Sequence, residues 1–569
     1  MTDTVTLEHV RVRYPAARTD ALEDVSLSVA PGTRIGVAGR TGAGKSTLAL
    51  LAAGFIPRVV RATVEGRAAL GETDLVKAES KDLLGRVGIV FATPANQLSA
   101  SKLTVREELA FGLENLAVPR SEMDGRINAV LARLGIVHLA EREPFALSGG
   151  EQQRVAIASI VAMGTGVVVL DEPTAQLDPA GSEAIADLLA ELARDGTGVL
   201  CTEHDPAVLR TMDRVAVLES GRLVTFDVPG RALGTGGLPE GLHPPTLVRL
   251  AEAAGADPAR AFDEPFVAAA LAAHRDPWPP DGAGSTEAAL EWKVVRDRHP
   301  VPIALEEVRF SYPSGVEALR SVSLRIEPTK TVAIVGQNGS GKTTLVKHLN
   351  GLLRPTAGRV LLGGEDTASE PISSLAERVG FVFQSPDDQL FERSVEREVG
   401  FGPRRMGLEV ETVTRLVGQA IELCGLDAVR ATNPYDLDLS TRKLVGLASV
   451  LATDPAAVVL DEPTTGQDGP GVALVGRIID ALRAAGKSVI AITHDMEFAA
   501  AHFGRIVVMR QGEVVADGPP SRVFGPANLE LLASTGLRPP PAARVAAAMG
   551  LPFVPADAGD LLRSLAHTA

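Results

Sequence analysis

GQNGSGKTT at residues 336–344 and GRTGAGKST at residues 39–47 are two copies of one pattern, G-x-x-x-x-G-K-[ST]. In this pattern glycines let backbone N–H groups close around phosphates, the lysine neutralises terminal-phosphate charge, and the hydroxyl binds magnesium. Each copy follows a short apolar run, at 331–335 or 34–38, and precedes a helical pattern. Because the motif requires this order of strand, loop and helix, the sequence predicts two phosphate-binding loops.

Length and composition restrict the class of protein. A chain of 569 residues is too long for one ordinary core and predicts at least two domains. The N-terminal residues lack a basic start followed by an apolar block, and the longest uncharged run, 155–170, is too short to span a bilayer. Two distant cysteines, Cys201 and Cys424, indicate neither a disulfide framework nor a zinc cluster and fit a reduced, cytoplasmic compartment.

The formal charge argues against one class of partner. The net charge is −15, and no dense cluster of lysine and arginine is visible. Such a chain repels a polyanion unless basic residues are concentrated on one surface, so nucleic acid is not expected as a partner.

Internal repeats show how the chain is organised. VGIVFATPANQL at 87–98 recurs as VGFVFQSPDDQL at 379–390, and VVLDEPT at 168–174 recurs unchanged at 458–464. The loop lysines stand 297 residues apart, and the aspartates of VVLDEPT stand 290 apart. This nearly constant spacing predicts two copies of one fold.

Each copy has the pattern of an α/β domain. The alternating segments 5–14 and 303–312 predict antiparallel strands, whereas the apolar runs before each phosphate loop and each Asp-Glu pair predict buried parallel strands. Mostly helical sequence between the VF-x-x-P segment and the Asp-Glu strand predicts a helical subdomain.

The predicted boundaries follow from the repeat. The two copies span 1–235 and 301–525, separated at 236–300 by an extension of the first copy and a linker rich in Pro, Ala and Gly, and followed at 526–569 by a helical extension. The clearest linker sequence is DPWPPDGAGS at 276–285.

Two acidic pairs end buried apolar strands. In Asp171-Glu172 and Asp461-Glu462, the first acid suits a magnesium shell, and the second can polarise a water that attacks a γ-phosphate. A solvated acidic turn is the alternative interpretation. It is less favoured because Pro-Thr follows both pairs at a fixed spacing from a phosphate loop.

Residues 147–154, LSGGEQQR, open an apolar helix. A serine and two glycines at a helix N-terminus supply backbone donors for a phosphate. The segment resembles the signature of ATP-binding-cassette ATPases, and the family's order of motifs covers both halves. The resemblance implies two P-loop NTPase domains of ABC type in tandem, each with an antiparallel β subdomain and a helical subdomain. The halves would pair within the chain and enclose two ATP molecules, each held by the loop of one half and the signature of the other.

The same resemblance assigns roles to individual residues. Catalytic roles fall to Glu462, His494, Gln384, Glu172 and His204. ATP would be bound by Tyr14, Gly39, Gly42, Gly44, Lys45, Ser46 and Thr47, by Tyr312, Gly336, Asn338, Gly339, Gly341, Lys342, Thr343 and Thr344, and by Ser148, Gly149 and Gly150. Magnesium would be bound by Ser46 and Asp171 and by Thr343, Gln384 and Asp461. The tyrosines would stack on adenine and the histidines would contact the γ-phosphate; tyrosines packed at a domain edge and structural histidines are the alternatives.

The two halves differ at positions that matter for this chemistry. Ala92 stands where the second half has Gln384, and LDLSTRK at 437–443 stands where the first half has its signature. By the family's pairing of loop and signature, both departures fall in the site built on Lys45. We therefore expect turnover mainly at the site built on Lys342, unless both changes are tolerated family variation.

The closest resemblance is to the ATPase component of energy-coupling-factor (ECF) transporters. It rests on FQSPDDQLF at 383–391, NPYD at 433–436 and the paired GL-x-PP tails that begin at Gly241 and Gly536. It implies a peripheral subunit at the cytoplasmic face of the membrane. There it would drive a membrane scaffold and a substrate-binding membrane subunit that take up a vitamin or a transition metal ion.

Three other functions remain open: the ATPase of another importer, a soluble twin-cassette ATPase acting on ribosomes or nucleic acid, and a regulatory nucleotide sensor. A join rich in Pro, Gly and Ala, rather than a long charged helix, disfavours the soluble alternative. A site that retains every catalytic element disfavours the sensor.

Overall fold

The computed structural model describes residues 3–15, 17–175, 177–239, 242–274, 290–294 and 301–568. The chain forms two compact units, Met1–Asp263 and Glu264–Ala569. The predicted linker at 276–285 and the tail residue Gly241 lie outside the described residues.

The first unit contains two β-sheets. Its strands are β1 (Val5–Arg13), β2 (Leu22–Val29), β3 (Arg34–Gly39), β4 (Thr63–Leu70), β5 (Thr73–Asp74), β6 (Val87–Val90), β7 (Val167–Asp171), β8 (Gly198–Thr202), β9 (Arg214–Glu219) and β10 (Arg222–Asp227). A four-stranded antiparallel sheet has the order β2-β1-β4-β5, and a six-stranded sheet has the order β10-β9-β3-β8-β7-β6. In the larger sheet the strands pair in parallel except for the edge strand β10.

Helices cover the larger sheet and build a helical subdomain from α3, α4 and α5. The helices of the first unit are α1 (Lys45–Ala52), α2 (Ser80–Leu83), α3 (Val105–Asn115), α4 (Arg120–Arg133), α5 (Gly149–Met163), α6 (Pro179–Arg194), α7 (Pro206–Leu209), α8 (Pro229–Ala232) and α9 (Thr246–Ala253). Among the residues that the structure describes, no helix is both long and apolar enough to cross a bilayer.

The second unit repeats the two sheets. Its strands are β11 (Ile303–Ser311), β12 (Glu317–Ile326), β13 (Thr331–Val335), β14 (Ala357–Leu362), β15 (Glu365–Asp366), β16 (Val379–Val382), β17 (Ala457–Asp461), β18 (Ser488–Ile492), β19 (Arg505–Arg510) and β20 (Glu513–Gly518). The antiparallel sheet has the order β12-β11-β14-β15, and the larger sheet has the order β16-β17-β18-β13-β19-β20.

The helices of the second unit include one that precedes the linker in sequence. They are α10 (Glu264–Ala273), α11 (Lys342–Leu349), α12 (Ile372–Arg378), α13 (Val395–Arg405), α14 (Val410–Leu423), α15 (Leu439–Leu451), α16 (Gly469–Ala484), α17 (Met496–His502), α18 (Pro520–Val523), α19 (Leu529–Ser534), α20 (Pro541–Ala548) and α21 (Ala558–Thr568). Helix α10 packs against α20, and the guanidinium of Arg544 donates to both carboxylate oxygens of Glu264 at 2.5 and 3.1 Å. The predicted extension at 236–300 is therefore divided, with α9 in the first compact unit and α10 in the second.

The sheets form where the sequence pattern predicts them. All five residues of β7 and all five of β17 are buried, as expected of central parallel strands covered on both faces. In β8, Thr202 is paired with Val37 of β3 on one side and with Asp171 of β7 on the other. The phosphate loop, the Asp-Glu pair and the histidine segment therefore meet at one edge of the sheet, and the predicted α/β fold is confirmed.

Candidate active site

The second phosphate loop closes around its own lysine. Lys342 begins α11, and its Nζ donates to the carbonyl oxygens of Gly336 at 2.7 Å and Gln337 at 2.8 Å. Gly341 caps the helix with φ 99°, and a Cβ atom there would lie 2.5 Å from the carbonyl oxygen of Ala318. Only glycine fits this position, and the geometry leaves a buried amine at the mouth of the loop.

The first phosphate loop has the same geometry. Lys45 begins α1 and donates to the carbonyl oxygens of Gly39 at 3.0 Å and Arg40 at 3.2 Å. Gly44 has φ 103°, and a Cβ atom there would lie 2.5 Å from the carbonyl oxygen of Ala21. Both loops are therefore formed for an anionic ligand.

Each loop places a hydroxyl beside the first acid of the Asp-Glu pair. Oγ1 of Thr343 donates to Oδ1 of Asp461 at 3.5 Å, and Oγ of Ser46 donates to Oδ1 of Asp171 at 3.2 Å. A hydroxyl and a carboxylate are the hard oxygen ligands that Mg²⁺ binds together with phosphate oxygens and water, so these residues fit the expected ion. Burial raises the pKa of Asp461 to about 6, with the charge of Glu462 as a second cause.

The second acid of the second unit is held by three side chains. Oε1 of Glu462 lies 2.8 Å from Nε2 of His494, and Oε2 accepts from Nε2 of Gln384 at 2.8 Å and from Oγ1 of Thr465 at 3.3 Å. Burial raises the pKa of Glu462, but the hydrogen bond and charge of His494 and the charge of Lys342 outweigh it, and the net pKa is lowered. An ionised carboxylate beside a phosphate loop can orient and polarise an attacking water.

The second acid of the first unit has fewer partners. Oε1 of Glu172 lies 3.0 Å from Nε2 of His204 and 3.7 Å from Nζ of Lys45. Burial raises the pKa of Glu172, but His204 and Lys45 together lower it below its usual value. The methyl group of Ala92 offers no donor where Gln384 donates in the other unit, so this carboxylate is less firmly oriented.

The two predicted adenine-stacking tyrosines lie beside the phosphate loops. The hydroxyl of Tyr14 is 3.0 Å from Oγ1 of Thr47, and the hydroxyl of Tyr312 is 2.9 Å from Oγ1 of Thr344. The structure thus explains how each ring is fixed next to the loop helix. Stacking on adenine stays a prediction.

The signature segment and its counterpart in the second unit begin helices with different N-terminal cap residues. Ser148 caps α5, and its amide and hydroxyl donate to Oε2 of Glu151 at 2.9 and 2.8 Å. Asp438 caps α15, and its carboxylate accepts from the amide and hydroxyl of Thr441 at 2.9 and 2.8 Å. A carboxylate therefore occupies the position of the signature serine and would repel the phosphate that the signature is expected to hold.

Two contributors escaped prediction from sequence. Thr202 donates to Oδ1 of Asp171 at 2.6 Å, and Nζ of Lys443 donates to the carbonyl oxygen of Glu462 at 3.1 Å. Burial lowers the pKa of Lys443 to about 8, partly opposed by the charges of Glu462 and Asp461. The available signals were the lysine that directly precedes the apolar part of α15 and the threonine that ends β8.

The fold and the site together define the class of protein. A phosphate loop with its lysine, a buried Asp-Glu pair and a histidine facing the glutamate occur in both units, as in ATP-binding-cassette ATPases. The family model described as ABC transporter matches residues 22–175 and 319–465, and the chain belongs to this family. It is an ATPase with two cassettes in one chain.

Relatives match nearly the whole chain. A protein of Methanosarcina acetivorans is 37% identical over 95% of this chain and 90% of its own length, and one of Streptomyces avermitilis is 34% identical over 93% and 97%. Both are named as ABC transporter ATP-binding proteins. A solved structure, cbiO1 from Clostridium perfringens, part of the ABC transporter complex cbiONQ, is 32% identical, covers 44% of this chain and 100% of that chain, and has a TM-score of 0.39.

Proposed function

We propose that this chain is the peripheral ATPase subunit of a membrane transporter at the cytoplasmic face of the membrane. The transporter is of the ECF type and takes up a vitamin or a transition metal ion. The names of the full-length relatives support the transporter assignment, and the segments 383–391 and 433–436 support the ECF type. Its partners are a membrane scaffold and a substrate-binding membrane subunit, and this chain supplies energy without selecting the cargo.

An exposed aromatic cluster on the helical subdomain carries this proposal. The rings of Phe391 and Phe401 meet edge to face at 4.7 Å, and the Tyr435 hydroxyl donates to the carbonyl oxygen of Leu390 at 2.7 Å. The three aromatic side chains are 57%, 37% and 52% exposed. Such a cluster is typical of a protein docking surface, and it adjoins the segment that carries Gln384, the donor to the catalytic glutamate.

The corresponding surface of the first unit has a different chemistry. Phe111 and Phe145 are 40% and 45% exposed, and Nζ of Lys102 lies 5.5 Å from the centre of the Phe111 ring. The aromatic surfaces of the two units therefore differ, because in the first unit a lysine lies over the exposed ring and is itself paired with Glu114 at 3.0 Å. This difference suits a scaffold that contacts the two halves through different segments.

ATP with Mg²⁺ is the proposed substrate of both sites, with unequal turnover. By family resemblance, the signature of each half completes the nucleotide site of the other. The site built on Lys342 then combines Gln384 and Glu462 with an intact LSGGE, whereas the site built on Lys45 combines Ala92 with Asp438. We therefore expect most ATP to be hydrolysed at the site built on Lys342.

Purification with candidate membrane subunits tests the proposal. The chain is co-expressed with them, and the proteins that co-purify in detergent are identified. We expect a scaffold and a small membrane subunit to be recovered, and Phe401→Asp to reduce their recovery at least about tenfold. Val316→Asp is the matched control, because Val316 is 60% exposed and lies outside the helical subdomain. Recovery with ribosomes and no membrane protein would overturn the proposal.

A further inference from the structure

A buried carboxylate in the first unit joins two turns of the nucleotide site. The side chain of Glu203 follows β8 and is 3% exposed. Its Oε1 accepts from the amide and hydroxyl of Thr174 at 3.0 and 2.5 Å, and its Oε2 accepts from the amides of His204 at 2.8 Å and Asp205 at 3.1 Å. All four donors are satisfied by one side chain.

The two turns are those that carry the second acid and the histidine. Thr174 follows Glu172 by two residues, and His204 follows Glu203 directly. The backbone amide of Glu203 donates to the carbonyl oxygen of Val37 in β3, the strand that leads into the phosphate loop. One residue therefore connects the acidic turn, the histidine turn and the loop strand.

The second unit lacks this bridge in the part of the chain that the structure describes. Thr493 stands at the corresponding position, fully buried, and its hydroxyl accepts from the amide of Asp495 at 3.0 Å. None of the described hydrogen bonds joins the Thr493 side chain to the turn that follows Glu462. The bridge is thus a difference between two otherwise repeated sites.

Burial and hydrogen bonding act in opposite directions on the ionisation of Glu203. Burial raises its pKa to about 7, with the charge of Asp205 as a second cause, while the hydrogen bonds from Thr174, Asp205 and His204 lower it. Four donors around one carboxylate favour the ionised form, since a protonated oxygen would donate rather than accept.

We propose that Glu203 is a positioning residue that holds Glu172 and His204 together for recognition of the γ-phosphate at the first site. The inference rests on the proposed placement of His204 at the γ-phosphate. It does not depend on which partner the chain powers. Its specific consequence is that Glu203 supports discrimination of ATP from ADP, because ADP lacks the group that these two side chains reach.

Nucleotide titration of the full chain tests this role. Lys342→Ala removes the phosphate-binding amine of the second unit, so that binding of fluorescent ATP and ADP analogues with Mg²⁺ reports the first site. In this background we expect Glu203→Thr to lower the ratio of ATP to ADP affinity at least about tenfold while ADP affinity stays within about twofold. Glu203→Gln keeps the volume but loses one acceptor, and we expect an intermediate fall.

Controls separate positioning from folding. Glu122→Thr makes the same chemical change on the exposed face of α4 and should leave the ratio unchanged. Hydrogen exchange should accelerate at the amides of Thr174, His204 and Asp205 in Glu203→Thr. Equal losses of ATP and ADP affinity, no loss of either, or a ratio already near one in the Lys342→Ala parent would overturn the proposal.

Discussion

Glu172 and Glu462 share a backbone conformation that side chains rarely adopt, with φ 49° and 52°. Such a conformation costs about 1–3 kcal/mol in a non-glycine residue and is typical of functional sites. In both units it follows a buried strand and directs the carboxylate beside a histidine, at 3.0 and 2.8 Å. The two glutamates differ in their other hydrogen bonds. Gln384 donates to Glu462, whereas the matching residue of the first unit, Ala92, has no side-chain donor for Glu172.

Paired substitutions measure the asymmetry of the two glutamates. We expect Glu462→Gln to lower ATP turnover of the full chain by at least about a hundredfold, the usual cost of removing a preorganised catalytic group. We expect Glu172→Gln to lower it by less than about tenfold, because the incomplete site contributes little. Steady-state ATPase assays of both variants give the comparison, and equal losses would contradict unequal sites.

The lowered pKa of Lys443 makes the free energy of unfolding of the second unit depend on pH. Its folded-state pKa is about 8, whereas an unfolded lysine titrates near 10.5. A depressed pKa means that the unfolded chain binds more protons between these values, so the contribution of Lys443 to stability rises with pH across this window and is lost as pH falls through 8. The full contribution is about 3 kcal/mol at most.

Thermal unfolding at two pH values tests this linkage. We expect the melting temperature of the wild-type chain, relative to that of Lys443→Met, to be higher at pH 9.5 than at pH 7. Lys77→Met is the control, because Lys77 is highly exposed and its partner Asp74 lies in the first unit. A difference between wild type and Lys443→Met that does not change with pH would contradict the depressed pKa.

Helices α5 and α15 occupy the same position in the two units but have different residues at their N-termini. Both helices begin at the same point of the repeat, and a polar residue precedes each as its N-terminal cap, Ser148 or Asp438. The cap is a serine in one helix and an aspartate in the other, and the carboxylate of the first turn is Glu151 in α5 but the cap residue Asp438 itself in α15. The helix survives because aspartate is as good a cap as serine.

Grafting the signature into α15 tests what this change costs. In a Glu462→Gln background, we replace Asp438, Leu439, Ser440 and Thr441 with Ser, Gly, Gly and Glu. If each signature completes the site of the other half, we expect the remaining ATP turnover to rise at least about tenfold, because a donor site for the transition-state phosphate is restored. The same graft in a Glu172→Gln background is the control and should give no rise. A rise in both backgrounds would show that the graft acts elsewhere than the Lys45 site.

At the scale of the whole molecule, two units of one fold carry different surfaces and a shared excess of negative charge. The net charge of −15 is distributed over a chain whose helical subdomains expose aromatic rings. Under the proposed function we expect a membrane partner to bury the rings, and we do not expect a polyanion to bind a chain of this net charge.

The effect of nucleic acid on the ATPase rate tests the alternative class of partner. We expect single-stranded RNA to leave the ATPase rate of the full chain unchanged within about twofold at low salt, where electrostatic attraction is strongest. ATPase assays with and without RNA at low and at physiological salt make the comparison. Stimulation that disappears as salt is added would indicate a basic surface and favour the soluble alternative.

The sequence by itself determined the repeated α/β fold, both phosphate loops and the position of both Asp-Glu pairs. These features are local, because a loop, a strand and the residues that end the strand are neighbours in the chain, and burial requires the apolar runs to become central strands. The same local logic found the altered signature at 437–443.

Only the tertiary structure decided which distant side chains serve those motifs. Thr202 reaches Asp171, Lys443 reaches the carbonyl of Glu462, and Glu203 joins two turns that lie about thirty residues apart in sequence. Helix α10 precedes the linker in sequence yet packs against α20 of the second unit. Contacts of this kind depend on strand order and on packing, which bring together residues whose sequence spacing carries no signal.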